Sequence, residues 1–289
     1  MGSGRVVLER RVRAQMRARV AALFLVIIGS AFSAVSPEAR VARANAYPAA
    51  DADEVAAAPN LFLIPLLTKL QQNPVPVSGV CPVQGDLEDK FISSSQMLQY
   101  LSCVVPGVEQ WIDVVYREMS HPAYFFVPRG VAGGDIAGCD YDENSLTYCL
   151  GSQVVYLGEA SVWEQYTNFG DAAPVVVIAH EVTHHFQNIL EMPRADAPND
   201  QIRYENQADC GAGAFMAYAA QAGMMDPKDD IVDLAGSLAQ AGEDEGPDRS
   251  HGTMPERLAA FDRAYLSNYA QPMFACIAYV PEVPIISGS

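Results

Sequence analysis

Positive charge is in short supply in this 289-residue chain, where 18 Lys and Arg stand against 35 Asp and Glu for a formal net charge of −17. Nucleic acids and anionic membrane surfaces both select clustered Lys and Arg, so a nucleic-acid partner is excluded. Long apolar runs are missing too: the longest of note, Val20–Val35, has 16 residues, short of the roughly 20 that a membrane-spanning helix needs. None of the six cysteines forms a C-x-x-C pair, which argues against a zinc ribbon or a thiol redox motif. No D-x-D-x-D-G loop offers a calcium site, and no internal repeat is visible. Histidine is rare, with five in the whole chain, so any clustering of them is informative. Against these absences, 50% of the residues are apolar, ample for a buried core.

The charge is unevenly spread. Residues 1–46 carry eight Arg and two acids, whereas 47–289 carry 10 bases and 33 acids. The basic piece has an Arg-rich start over residues 5–19, the apolar run Val20–Val35, and then small residues. Among these, Ala42-Arg43-Ala44 and Ala44-Asn45-Ala46 both fit an A-x-A cleavage site. Residues 1–46 are therefore expected to be a signal peptide or an N-terminal anchor. The protein is expected to be exported, then secreted or held at the cell envelope, with any membrane association running through residues 20–35. Export favours disulfides among Cys81, Cys103, Cys139, Cys149, Cys210 and Cys276, although spacing alone leaves their connectivity open.

Residues 47–92 are rich in Ala, Pro and acids and then in Pro and Gly, and read as a linker or pro-segment. Within them Leu61–Leu70 is apolar but too short to span a membrane. Residues 93–289 read as one α+β domain, mostly helical with a small β-sheet. A helical pattern begins at Ser94 and is divided by Pro106, after which Val108, Trp111, Ile112, Val115, Tyr116 and Met119 mark a second apolar face. Tyr124–Val127 and Val154–Leu157 read as strands. Asp171 is placed to cap a long helix ending near Leu190, with Pro174 in its first turn. Further helices are expected from the loop Pro193–Asp200 to about Ala222, after Pro227, and from a Thr253/Glu256 capping box to about Leu266. His121, Trp111 and Trp163 read as structural residues.

The chemistry is concentrated in His180-Glu181-Val182-Thr183-His184. On a helix, residues i and i+4 share a face, so His180 and His184 can offer two imidazole nitrogens to one metal ion. Glu181 sits beside that face, where a carboxylate can act as general base toward water. With five His in 289 residues, H-E-x-x-H arises by chance in roughly one such chain in 200. His185 points about 100° away from His184 and is expected to pack or cap. Catalytic zinc normally takes three protein ligands, so a third is needed. The next helix supplies candidates in Glu205 and Asp209, four apart on one face, and a carboxylate there can also accept the second N–H of a ligand His.

These segments resemble a known family, the neutral zinc metallopeptidases of bacteria. The resemblance rests on His180–His185, on Glu205-Asn206-Gln207-Ala208-Asp209-Cys210 and on His251-Gly252-Thr253, and spans roughly residues 120–276. It implies a zincin fold, one Zn²⁺ per chain held by His180, His184 and Glu205, and Asp209 behind a ligand His. It also implies Cys210 near Cys276 and Cys139 near Cys149, as bridges. There are two departures: Thr183 stands where the family usually has Gly, and the segment before about residue 120 has no counterpart in the family's pattern. The expected reaction is hydrolysis of peptide bonds in a peptide or protein substrate, with Glu181 as proton acceptor and water activated by zinc. His251 is the leading candidate to stabilise the oxyanion, with Tyr204 behind it. Val154–Leu157 could hold an extended peptide by β-addition, or could instead be an inner strand. Two other readings compete: a non-catalytic exported binding or scaffold protein, and a deformylase-like amide hydrolase with Cys139 as a thiolate ligand.

Overall fold

The computed structural model describes residues 94–193, 198–225, 230–246 and 249–286. The expected export segment, the 47–92 linker and Cys81 lie outside the described residues. The element order is α1 (Ser94–Val115), β1 (Ala123–Val127), β2 (Gly134–Ile136), β3 (Cys139–Tyr141), β4 (Leu146–Cys149) and β5 (Val154–Gly158). Then follow α2 (Glu159–Phe169), α3 (Ala172–Ile189), α4 (Pro198–Gln221), α5 (Asp230–Gln240), α6 (Met254–Tyr265) and a 3₁₀ turn, Pro272–Ala278. The architecture is α+β, dominated by helix. None of the described helices is long and apolar enough to cross a membrane.

Pro106 does not divide α1; it lies inside one continuous helix. Met97, Leu101 and Val104 before it and Val108, Trp111 and Ile112 after it are all buried in the same core. Their spacing keeps helical register across the proline, so burial of one unbroken face offsets the hydrogen bond that Pro106 cannot make. The helix stops at Val115, and Tyr116 and Met119 pack on the core from the turn beyond it. Trp111 lies 5.2 Å from Phe186 and 5.4 Å from Phe215, ring centre to ring centre, and so joins α1 to α3 and α4. His121 ties the end of this region to α1 through Asp113 at 2.9 Å.

The main sheet has the order β1-β5-β4, with β1 parallel and β4 antiparallel to β5. β5 is therefore the inner strand, paired on both sides, and Val154–Leu157 has no edge left for a peptide. The edges of this sheet belong to β1 and to β4, the latter a four-residue strand too short to reveal itself by alternation. The β2–β3 hairpin is joined to β4 by the Cys139–Cys149 disulfide.

α3 begins with the β-branched run Val175-Val176-Val177-Ile178, and three of these four side chains are fully or nearly fully buried. Tertiary packing overrides their modest preference for strand. Asp171 occupies the position before the helix but makes no capping bond; its carboxylate lies buried beside Asp230 and Asp233. The expected capping box of α6 is present, with Glu256 accepting from the Thr253 N–H at 2.7 Å.

α4 is the central helix, and two glycines let its neighbours close in. A Cβ on Gly211 would lie 2.1 Å from Thr183 Oγ1 on α3, and one on Gly213 would lie 2.1 Å from the Phe261 carbonyl on α6. Two residues apart on a helix is about 200°, so the two approaches are on opposite sides of α4. Thr183 fits without distortion because Gly211 faces it and its hydroxyl donates to the Ala179 carbonyl at 2.9 Å. Gly211→Ala is expected to destabilise the fold by about 1–3 kcal/mol through overpacking. Chemical denaturation should register that loss, and the Thr183→Gly/Gly211→Ala pair should recover part of it.

Candidate metal centre

His180 and His184 lie one turn apart on α3, and their rings meet edge to face with centres 4.7 Å apart. Glu205 and Asp209 lie one turn apart on α4, facing them. The His180 and His184 Nε2 atoms are 3.1 Å apart, and Glu205 Oε2 is 3.2 Å from the first and 3.5 Å from the second. Four ligands at about 2.0–2.1 Å around a tetrahedral ion stand roughly 3.3 Å from one another. The three atoms already sit at about that spacing.

The remaining ring nitrogens explain why these atoms converge. His180 Nδ1 faces the Asp209 carboxylate at 2.8 Å, and His184 Nδ1 faces Gln187 Oε1 at 2.8 Å. Both partners are acceptors, so both Nδ1 atoms carry the hydrogen and both Nε2 atoms present lone pairs. The Gln187 orientation is itself held: its Nε2 donates to the Tyr204 carbonyl and to Gln207 Oε1, each at 3.0 Å. Gln207 Nε2 in turn donates to the Cys276 carbonyl at 3.1 Å. Three electron-rich atoms thus point at one spot, an arrangement that repels itself until a cation or a proton joins it.

Proton affinities reflect this. Burial alone would depress the His180 imidazole, but Asp209, Glu205 and Glu181 outweigh it and push it up to about 10. His184 is raised too, against its burial, mainly by Glu205. Burial would lift the Glu205 carboxyl, yet the two imidazoles hold it well below the usual carboxylate range.

Asp209 is fully buried, and its charge is met from the other side by Arg257 on α6. The guanidinium donates from Nε to Oδ2 at 2.9 Å and from a terminal nitrogen to Oδ1 at 2.8 Å. Its third arm donates to the Ala241 carbonyl at 2.9 Å. Burial would raise the Asp209 carboxyl, and Arg257 with His180 holds it down. Neither Arg257 nor the Gln187–Gln207 relay was anticipated from the sequence. The one signal for Arg257 was a basic residue on the apolar face of α6, where a lone charge requires a buried partner.

Glu181 is buried beside the pair, and its Oε2 accepts from the backbone N–H of Tyr148 on β4 at 2.7 Å. His185 is buried and packs as expected: its Nε2 donates to the Ser120 carbonyl at 2.6 Å and its Nδ1 accepts from the Tyr148 hydroxyl at 3.0 Å. His251 Nε2 stands 3.5 Å from Glu205 Oε2, with its backbone N–H held by Glu243 at 2.7 Å and its Nδ1 against the Ser250 hydroxyl at 3.0 Å. His180, Glu181, His184, Glu205, Tyr204 and His251 all line one cleft of about 810 Å³. Asp209 stands behind it, touching the cleft only through His180. Cys139 is bridged to Cys149, and a bridged sulfur cannot serve as a thiolate ligand, which removes the deformylase-like arrangement. The second bridge, Cys210–Cys276, links α4 to the 3₁₀ turn beside Asp209.

In the metal-free protein the raised His180 value stabilises the fold fully below about pH 6.5, and that contribution is lost as pH rises toward about 10. Over the same window protons compete less for the site, so metal binding tightens. The gap in Tm between zinc-loaded and chelator-stripped protein is therefore expected to widen from pH 6.5 upward. Thermal denaturation at several pH values checks this.

Two mycobacterial proteins, uncharacterised protein Rv2575 of Mycobacterium tuberculosis and uncharacterised protein Mb2605 of Mycobacterium bovis, are 26% identical to this chain over 181 residues, 55% of it and 61% of each of them. The uncharacterised protein YpfJ of Escherichia coli K12 is 30% identical over 144 residues, 41% of this chain and 49% of its own length. The chain thus spans about three fifths of its mycobacterial relatives and about half of the E. coli one. No solved structure matches. Residues 137–260, which carry His180, Glu181, His184, Glu205, Asp209 and His251, match the model of the family described as putative neutral zinc metallopeptidase, the family that the motifs resemble.

Proposed function

We propose that the protein is an exported zinc-dependent metallopeptidase of zincin-like fold that hydrolyses peptide bonds in peptide or protein substrates. The observation that carries this reading is the convergence of three lone pairs, from His180 Nε2, His184 Nε2 and Glu205 Oε2, on one point in a cleft. Two imidazoles and a carboxylate are the donor set that suits Zn²⁺, one per chain. When bound there, zinc would polarise a substrate carbonyl and acidify a water molecule. Asp209 and Gln187 keep both imidazoles in the tautomer that leaves Nε2 free to ligate. Glu181 takes a proton at its carboxylate and passes it to the leaving amine, its position steadied by the Tyr148 N–H. His251, whose Nε2 stands 3.5 Å from Glu205 Oε2 in the cleft, donates from its ring to the developing oxyanion. The outer edge of β4, with Leu146, Thr147 and Tyr148 lining the cleft, pairs with the backbone of an extended substrate. Export is supported by the two disulfides, which persist in oxidising compartments.

Metal analysis by mass spectrometry on purified protein is expected to find about one zinc per chain in the wild type and in Glu181→Gln, and to find it lost in Glu205→Ala. Glu181→Gln should lower peptide hydrolysis by at least about 10²-fold while keeping the metal. A folded wild type that binds no zinc would overturn the reading. His251→Ala is expected to reduce kcat by roughly 10²–10³-fold with little change in KM, as the loss of an oxyanion donor does, and steady-state kinetics on any cleaved peptide measures it.

A further inference from the structure

The cleft face of α3 does not end at His184. His180, His184, Gln187, Asn188 and Glu191 all line the cleft, so one strip of side chains leads from the metal centre to the end of the helix. The helix terminates there in a reversed turn, with Glu191 N–H bonded to the Asn188 carbonyl at 3.1 Å and Met192 N–H to the Gln187 carbonyl at 3.0 Å. This pairing places the residue after the cap in the left-handed region, where glycine is the favoured occupant. Here that residue is Glu191, at φ 51°. The chain carries a long acidic side chain at a position whose backbone favours none.

Charge balance along the cleft singles out the same residue. Among the described residues that line the cleft, Glu181, Glu191 and Glu205 are the carboxylates, and none is Lys or Arg. Glu205 faces the two ligand imidazoles and Glu181 accepts from Tyr148. A divalent ion would balance these two acids. The Glu191 carboxylate has no hydrogen bond or ion pair to any described residue and is exposed to the cleft. Seven residues beyond His184, it lies about 10 Å farther along the helix axis. An extended peptide advances about 3.3 Å per residue, so that distance corresponds to roughly three residues.

We propose that Glu191 is a specificity-determining residue that receives the cationic side chain of a Lys- or Arg-containing peptide, about three residues from the scissile bond. The inference rests on the peptidase reading and names its substrate class. The chain's net charge of −17 acts in the same direction, drawing cationic peptides toward the cleft.

The test uses zinc-loaded protein and fluorogenic peptides that differ only in bearing Lys, Gln or Glu at one position, scanned over the residues on both sides of the cleaved bond. At one position the wild type is expected to prefer Lys over Gln by about 2- to 5-fold in kcat/KM, the range of an exposed ion pair. Glu191→Gln should erase that preference, bringing the Lys and Gln peptides to equal kcat/KM, and Glu191→Lys should transfer the preference to the Glu peptide. Glu191→Gly should erase it as well while raising Tm by about 2–4 °C, because glycine relieves the backbone. Peptide cleavage with no Lys preference, or with one that survives Glu191→Gln, overturns the inference and leaves the peptidase reading standing. Cleavage of none of the peptides by zinc-loaded wild type overturns both.

Discussion

The site depends on one buried charge. Asp209 has no exposure to solvent, and an isolated carboxylate in such a place would cost several kcal/mol. It is retained because His180 on α3 and Arg257 on α6 both reach it, so its two oxygens join three helices. The close approach that this requires is permitted by Gly211 and Gly213 on α4, one toward each neighbour. Packing and electrostatics are therefore coupled. The helices can close on α4 only where it lacks side chains, and the charges are tolerable only when the helices are closed.

From that anchor the geometry of the donor atoms follows. With Asp209 accepting from His180 Nδ1 and Gln187 accepting from His184 Nδ1, each imidazole has one orientation and one tautomer in which both bonds are made. The Nε2 atoms then face each other and Glu205, an arrangement that favours a positive charge among them. The raised proton affinity of His180 and the lowered one of Glu205 are two readings of that same field. The Gln187–Gln207 relay ends on the Cys276 carbonyl, and the Cys210–Cys276 bridge holds that residue to α4. In this fold a disulfide and a pair of amides thus serve the orientation of a ring several residues away.

The other wall of the cleft is built by strand pairing. β4 is short, but it is fixed on one side by β5, by the bridge from Cys149 to Cys139, and by the Tyr148 hydroxyl between His185 and Asn188. Those ties leave its outer edge facing α3, with the Tyr148 N–H on Glu181. His185, next in sequence to His184, points away from the converging donor atoms and braces the strand on the opposite side of the cleft. Adjacent residues on one helix thus work on two different walls, because successive side chains diverge by about 100°.

Much of this was legible in the sequence, and for identifiable reasons. H-E-x-x-H carries its meaning in its spacing, since the helix period alone puts His180 and His184 on one face. The same period pairs Glu205 with Asp209 and makes His185 diverge. Local chemistry also disclosed the capping box at Thr253 and the strands around Phe125 and Tyr156. What depended on contacts between distant segments was not legible. The continuity of α1 through Pro106 was decided by a core on both sides of it, and the inner position of β5 by which strands flank it. Asp171 lost its capping role to burial beside Asp230 and Asp233. Arg257 and Gln187 became part of the site only because α6 and α4 pack where they do. Sequence determined which residues share a face, because that is set by the periodicity of a single chain segment. Tertiary structure alone decided which faces meet, because that is set by the volume and charge that every segment must bury together.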